Sequence, residues 1–211
     1  MSEQAPSEQA PPEPAIAVVE LDSIAIGIMA GDAMVKASPL GSIYAGTVHP
    51  GRYVIVVSGD TASVEVALQT GLEAAAAALS DSVFLPDVHP AVVGAIVTDA
   101  ELAECEGDAL GVVETATIAA VIDAADAGVK AAAVTLPAVR LADGLGGKGY
   151  ALFSGEVAEV EAALDAAIAR GTRTDSDLRH VLIPQLHGEM SDNLARDLRL
   201  NYRLARRPEE R

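Results

Sequence analysis

Residues 15–36 read AIAVVELDSIAIGIMAGDAMVK, and residues 109–130 read ALGVVETATIAAVIDAADAGVK. The two stretches lie 94 positions apart and agree at 12 of 22 positions, or 8 of 22 without the alanines. Unrelated segments of this length share roughly 1–2 residues, so one unit occurs twice, and a repeat decides the fold before any local feature does.

Working outward from each copy gives the same order of elements. Ala15–Glu20 is a short apolar run that reads as a buried strand, and Ser23 caps a helix running to about Lys36. Ile24, Ile28 and Val35 recur at helical spacing and are expected to face the core, with Ala25, Ala30 and Ala33 as small packing positions. Pro39 stops the helix. Strands are expected over Ser42–Thr47 and Tyr53–Val57, joined by the turn His49-Pro50-Gly51. Thr61 is expected to cap a second helix, to about Leu79, burying Val64, Leu68, Leu72, Ala75 and Ala76, before a fourth strand over Ser82–Leu85.

The second copy reads strand 109–114, helix 117–130, strand 133–140, a glycine loop at Asp143–Gly147, strand 149–153, helix 156–170 and strand 177–183. Its offset grows from 94 to 96 at Ser58/Ser154 and to 98 at Pro86/Pro184, so the added residues fall in loops. Each copy is β-α-β-β-α-β, which makes the fold class α/β (α+β): two tandem ferredoxin-like domains, each an antiparallel four-stranded sheet with both helices on one face. The expected boundaries are 1–14, a disordered Pro/Glu/Gln/Ser arm; 15–90, the first domain; 91–108, a linker in which 91–97 forms an edge strand or a helical turn; 109–188, the second domain; and 189–211, a tail helix with Leu194, Leu198 and Tyr202 four apart.

Composition narrows the function. Half the residues are hydrophobic but only six are aromatic, so the core is built from Ala, Val, Ile and Leu. The net charge is −17, and residues 1–188 hold 8 Lys/Arg against 26 Asp/Glu, a balance that repels nucleic acid. Cys105 stands alone, which precludes an intrachain disulfide and fits a reducing compartment. No stretch approaches the ~20 uncharged apolar residues of a membrane span, and the acidic, proline-rich start lacks the pattern of a signal peptide. A cytoplasmic location follows as the expectation.

The residues offer little for catalysis. Gly144-Leu145-Gly146-Gly147 sits inside a hairpin rather than between a strand and a helix, so it is no dinucleotide loop. Cys105 lies among acidic residues, which oppose thiolate formation. No His/Cys cluster has metal-ligand spacing, so no catalytic residue, metal site or cofactor is assigned. His180 reads as a surface residue, and His89 and His187 as matching structural or interfacial residues. His49 has no counterpart expected in the second copy; it is either an exposed turn residue or, if copies gather about an axis, part of its lining. Glu20 and Glu114 end their strands just before a helix, where a carboxylate favours the helix N-terminus.

Four motifs, each present twice and in the same order, resemble the bacterial microcompartment shell-protein family. Val18-Val19-Glu20 and Val112-Val113-Glu114 are like its opening "G-hydrophobic-V-E". Residues 32–37, DAMVKA, and 126–131, DAGVKA, are like its "A-D-A-M-x-K-A". Ser58-Gly59-Asp60 and Ser154-Gly155-Glu156 are like the "G-D" that opens its second helix. Residues 83–89, VFLPDVH, and 181–187, VLIPQLH, are like its "V-I-P-R-P-H". The order is that of a tandem-domain, non-permuted member.

The resemblance implies a structural tile rather than an enzyme. Single-domain members form hexamers; a tandem chain is expected to form a homotrimer whose six domains make a pseudohexamer. Such tiles pack with other shell proteins, hexamers and pentamers, around enzymes in the cytosol, and a central pore passes small metabolites. The family's pore loop falls at Thr47, Val48, His49, Pro50 and Gly51, and at Asp143, Gly144, Leu145, Gly146 and Gly147. Lys36 and Lys130 match its edge lysine; Asp87 and Gln185 replace the edge arginine, beside His89 and His187. The competing reading is an oligomeric ligand-binding regulatory protein with paired ferredoxin-like domains and a pocket between them.

Overall fold

The computed structural model describes residues 15–97, 107–172 and 177–194. The N-terminal arm, Cys105, and Leu198 and Tyr202 of the tail lie outside these residues.

The first copy runs β1 (Ala15–Leu21), α1 (Ile24–Ala37), β2 (Ser42–Val48), β3 (Arg52–Gly59), α2 (Thr61–Ala75), a single 3₁₀ turn (Ala76–Ala78) and β4 (Leu79–Leu85). A two-turn helix, α3 (Pro90–Val97), follows. The second copy runs β5 (Ala109–Thr115), α4 (Ile118–Ala131), β6 (Thr135–Leu141), β7 (Gly149–Gly155), α5 (Val157–Gly171) and β8 (Arg179–Ile183), and a short helix, α6 (Gly188–Leu194), closes the described chain. The sheets are ordered β2-β3-β1-β4 and β6-β7-β5-β8, and every pairing is antiparallel. This is the ferredoxin-like order, twice over.

Small side chains bring the layers together. Ala30, Gly31 and Met34 of α1 and Val64, Ala67 and Leu68 of α2 cover the face of β1 and β3 that carries Ala17, Val19, Ile55 and Val57. At Gly27 even a Cβ would lie 2.5 Å from the Tyr53 ring. In the second copy Phe153 fills the same layer against Val160, Ala163 and Ala167.

Three local expectations are corrected. The cap of α2 is Asp60, not Thr61: the Asp60 carboxylate accepts the Ser63 N–H at 3.0 Å, and the Ser63 hydroxyl, followed by that N–H, holds its pKa below the ordinary value. The helix ends at Ala75, with Ala76 exposed and Leu72 only half-buried, and Leu79 already belongs to β4. Pairing of β4 with β1 as far as Leu79↔Leu21 overrides the helix preference of the alanine run. Ile24, Ile28 and Val35 point away from the first core, being 41%, 57% and 50% exposed, whereas their counterparts Ile118, Ile122 and Val129 are 1%, 0% and 9% exposed.

Domain 1 itself accounts for that contrast. Its β4 packs on α4, and α3 packs on β6, so the outward face of the second copy becomes interior. The edge strand β6 is buried along its middle, while its counterpart β2 is exposed along its length.

Candidate pore rim and domain junction

The junction is anchored by Glu20. This carboxylate ends β1 fully buried, accepts Arg52 Nη1–H at 2.6 Å and accepts the Ile118 N–H of α4 at 2.9 Å. The expectation that it favours a helix N-terminus meets an unexpected geometry: the helix is that of the other copy, where the carboxylate satisfies an orphan amide and complements the dipole. Burial raises the Glu20 pKa above its ordinary value of 4.5; the Arg52 and Ile118 hydrogen bonds act in the opposite sense, and Asp81 adds to the rise. Beside it, the Thr117 hydroxyl donates to Asp81 at 2.5 Å. Glu114, the counterpart of Glu20, is half-exposed, and its carboxylate accepts from Lys148 Nζ at 2.7 Å.

The two loops expected at a pore lie side by side. Val48 pairs with Arg52 in one hairpin and Leu141 with Gly149 in the other, so Ala142 and Lys148 come next in register and His49 and Asp143 are equivalent positions. His49 thus has a counterpart, which is acidic. The pair is in contact: Asp143 Oδ1 accepts the His49 backbone N–H at 3.3 Å and lies 3.4 Å from Nδ1. Both side chains are open to solvent, 78% and 70% exposed. Thr47, Val48, His49, Gly51, Asp143 and Gly144 line an open cleft of about 570 Å³. Gly147, buried with φ +90°, carries the second loop against the first; a Cβ there would sit 2.9 Å from Pro50 Cδ. Leu145 is half-buried and Gly146 exposed beside it. Contact between the loops was not read from the sequence, although His49 and Asp143 stand 94 residues apart, the spacing of the repeat.

The residues expected at a tile edge divide. Lys36 is exposed and paired with Asp32 at 2.6 Å. Lys130 is tied into the junction: it pairs with Asp126 at 2.7 Å and donates to the Asp87 carbonyl of domain 1, while Asp126 also accepts the His89 N–H at 2.8 Å. Asp123 and Arg170 add a second ion pair here at 2.7 Å, in a cleft of about 310 Å³. His89 and His187 do matching local work, each Nδ1 accepting an amide at the start of the helix that follows, Ala91 at 3.2 Å and Glu189 at 3.3 Å. Asp87, Gln185 and His187 are exposed. Among the described residues no His, Cys, Asp or Glu group is arranged to hold a metal, and no helix is long and apolar enough to cross a membrane.

Comparison with known proteins gives this geometry a family. The BMC domain model matches residues 15–88 and again 109–186. The bacterial microcompartment shell protein PduT of Citrobacter freundii is 38% identical over 176 residues, spanning 83% of this chain and 95% of that protein. The shell protein EutM of Salmonella typhimurium is 39% identical over 85 residues, 40% of this chain and 86% of its own length. A solved microcompartment protein from Desulfitobacterium hafniense is 37% identical, covers 84% of this chain and 98% of its own, and superposes with a TM-score of 0.70. A fused, permuted hexameric shell protein, at 20% identity and a TM-score of 0.54, shares the fold. The chain belongs to the BMC-domain family of bacterial microcompartment shell proteins and carries the family's domain twice in direct order.

Proposed function

We propose that three copies of this chain close head to tail into a six-domain ring, and that the ring is a tile of a microcompartment shell with a small-metabolite pore on its axis. One observation carries the reading. Among the described residues, β4 and α3 cover α4 and β6, whereas the equivalent face on α1 and β2 is bare and apolar, with Ile24, Ile28, Val35, Ile43 and Tyr44 exposed. The equivalent covering elements, β8 and α6, are also bare, exposing Val181 and Met190. Each chain therefore presents both halves of the junction it already contains, unmatched. A head-to-tail contact repeats until it closes, and the spacing of two domains in a sixfold outline closes it at three.

In such a ring the loops at 47–51 and 143–147 meet about the axis and form the pore rim. Lys36, Asp87, Gln185 and His187, all exposed, are assigned to the outer edge, where tiles meet hexameric and pentameric shell proteins around enzymes in the cytosol, while Lys130 and the His89 amide are held in the domain junction. The tile has no catalytic role. The regulatory alternative needs a ligand pocket between domains; the cleft at the junction is instead spanned by the Lys130–Asp126 and Arg170–Asp123 pairs.

The test combines native mass with electron microscopy of the purified protein, alone and with a hexamer-forming shell partner. Three-chain particles that enter sheets or shells are expected. Particles that never enter a sheet in either condition contradict the tile.

A further inference from the structure

We propose that the axial opening is belted by alternating His49 and Asp143 side chains, and that this belt admits neutral and cationic solutes in preference to anions. The inference rests on the ring of three and adds the class of solute. His49 and Asp143 occupy equivalent positions in the two hairpins, as the strand register shows. Across the junction inside one chain these positions touch, at 3.3 and 3.4 Å. A ring has a second kind of junction, between chains, which brings Asp143 of one chain beside His49 of the next. Three imidazoles and three carboxylates then alternate around the opening.

The charge of that belt is not cancelled locally. The cleft wall, made by Thr47, Val48, His49, Gly51, Asp143 and Gly144, contains no Lys or Arg. The nearest cations are engaged behind it: Arg52 by Glu20 at 2.6 Å and Asp22 at 3.4 Å, and Lys148 by Glu114 at 2.7 Å. With histidine counted as uncharged, the belt's formal charge is the negative charge of three aspartates. Charge of one sign around a narrow opening focuses the field and enriches solutes of the opposite sign.

The test reads the local field directly. In the full-length assembly with labelled methyl groups, at pH 8 and low salt, paramagnetic relaxation of Val48 and Leu145 is measured with a cationic and an anionic nitroxide of equal size. Val66, exposed on α2, is the internal reference and removes the effect of overall charge. The cation-to-anion ratio at Val48 is expected to exceed that at Val66 by about three-fold and to fall to the Val66 level in Asp143→Asn. A ratio at Val48 equal to that at Val66, or one unchanged by the substitution, overturns the belt. Native mass on the same samples separates the two claims. A single-chain mass overturns the ring and the belt with it; a three-chain mass with a flat ratio overturns the belt alone.

Discussion

Helices α1 and α4 repeat one sequence unit and have opposite fates. Their shared residues place Ile, Ile and Val at the same three positions. In α4 all three are interior, and in α1 all three face solvent. Local sequence therefore sets the helix and its stripe, but not whether the stripe belongs to the core. The same stripe is core where a covering domain precedes it in the chain and, in the proposed ring, interface where the cover comes from another molecule. Glu20 and Glu114 tell the same story: one is buried under a helix N-terminus, while the other waits half-exposed on Lys148.

The sharpest way to break the comparison is one substitution at both sites. Ile122→Asp places a carboxylate in a sealed apolar junction and is expected to cost more than about 4 kcal/mol, enough to abolish folding in a thermal melt. Ile28→Asp is expected to leave the single chain within about 0.5 kcal/mol of wild type and to shift its mass from three chains to one. Equal damage at both positions contradicts the assignment of the α1 face to an interface.

The second pair of substitutions removes the cations, measured in the Ile28→Asp background so that chains stay separate. Arg52→Ala strands Glu20 in the junction and is expected to lower the stability of the chain by about 3–5 kcal/mol. Lys148→Ala removes an exposed partner of Glu114 and is expected to cost under about 1 kcal/mol. Urea midpoints check both.

A third, smaller contrast lies at the caps. Asp60→Ala loses the bond to the Ser63 N–H and is expected to cost about 1 kcal/mol. Glu156 holds the equivalent place without a side-chain cap bond, so Glu156→Ala is expected to be nearly silent by the same measurement.

The smallest effect is a pH dependence. The Glu20 pKa is raised in the folded chain, chiefly by burial. Between the unfolded value and that raised value the folded state holds more protons than the unfolded state, so stability falls as pH rises through this window. The contribution is fully present below the unfolded pKa and lost above the folded one. Glu20→Gln removes the titration. The stability difference, wild type minus variant, is expected to be flat below about pH 4 and to decline as pH climbs past the ordinary glutamate range. A difference that rises with pH contradicts the assignment.

Much of the fold was legible because duplication shows each element twice. Strand and helix order, the Ser23 cap and the loop insertions are read from residue type and spacing, and they match the structure. What was not legible depends on partners distant in sequence. Periodicity finds the Ile24, Ile28 and Val35 stripe but cannot say which molecule covers it. Helix preference carries α2 through its alanines, because the β1–β4 register that stops it is a long-range constraint. Glu20 shows a strand-end carboxylate near a helix start, yet the helix it serves lies 98 residues on. At the proposed pore rim the loop residues were placed by counting back from Gly59 and Gly155, whereas the meeting of His49 with Asp143 required the packed junction.

The central claim, that the bare faces repeat the internal junction between chains, is tested most directly by cross-linking. Thr117 and Asp81 touch within the chain, and their counterparts are Ser23 and Arg179. In a Cys105→Ser background, Thr117→Cys with Asp81→Cys is the control, and its intrachain disulfide establishes that the geometry permits a bridge. With that bridge formed, Ser23→Cys with Arg179→Cys is expected to join chains into a disulfide ladder under oxidising denaturing electrophoresis that stops at three and collapses to single chains on reduction. Chains that remain single, or a ladder that runs on past three, contradict the ring.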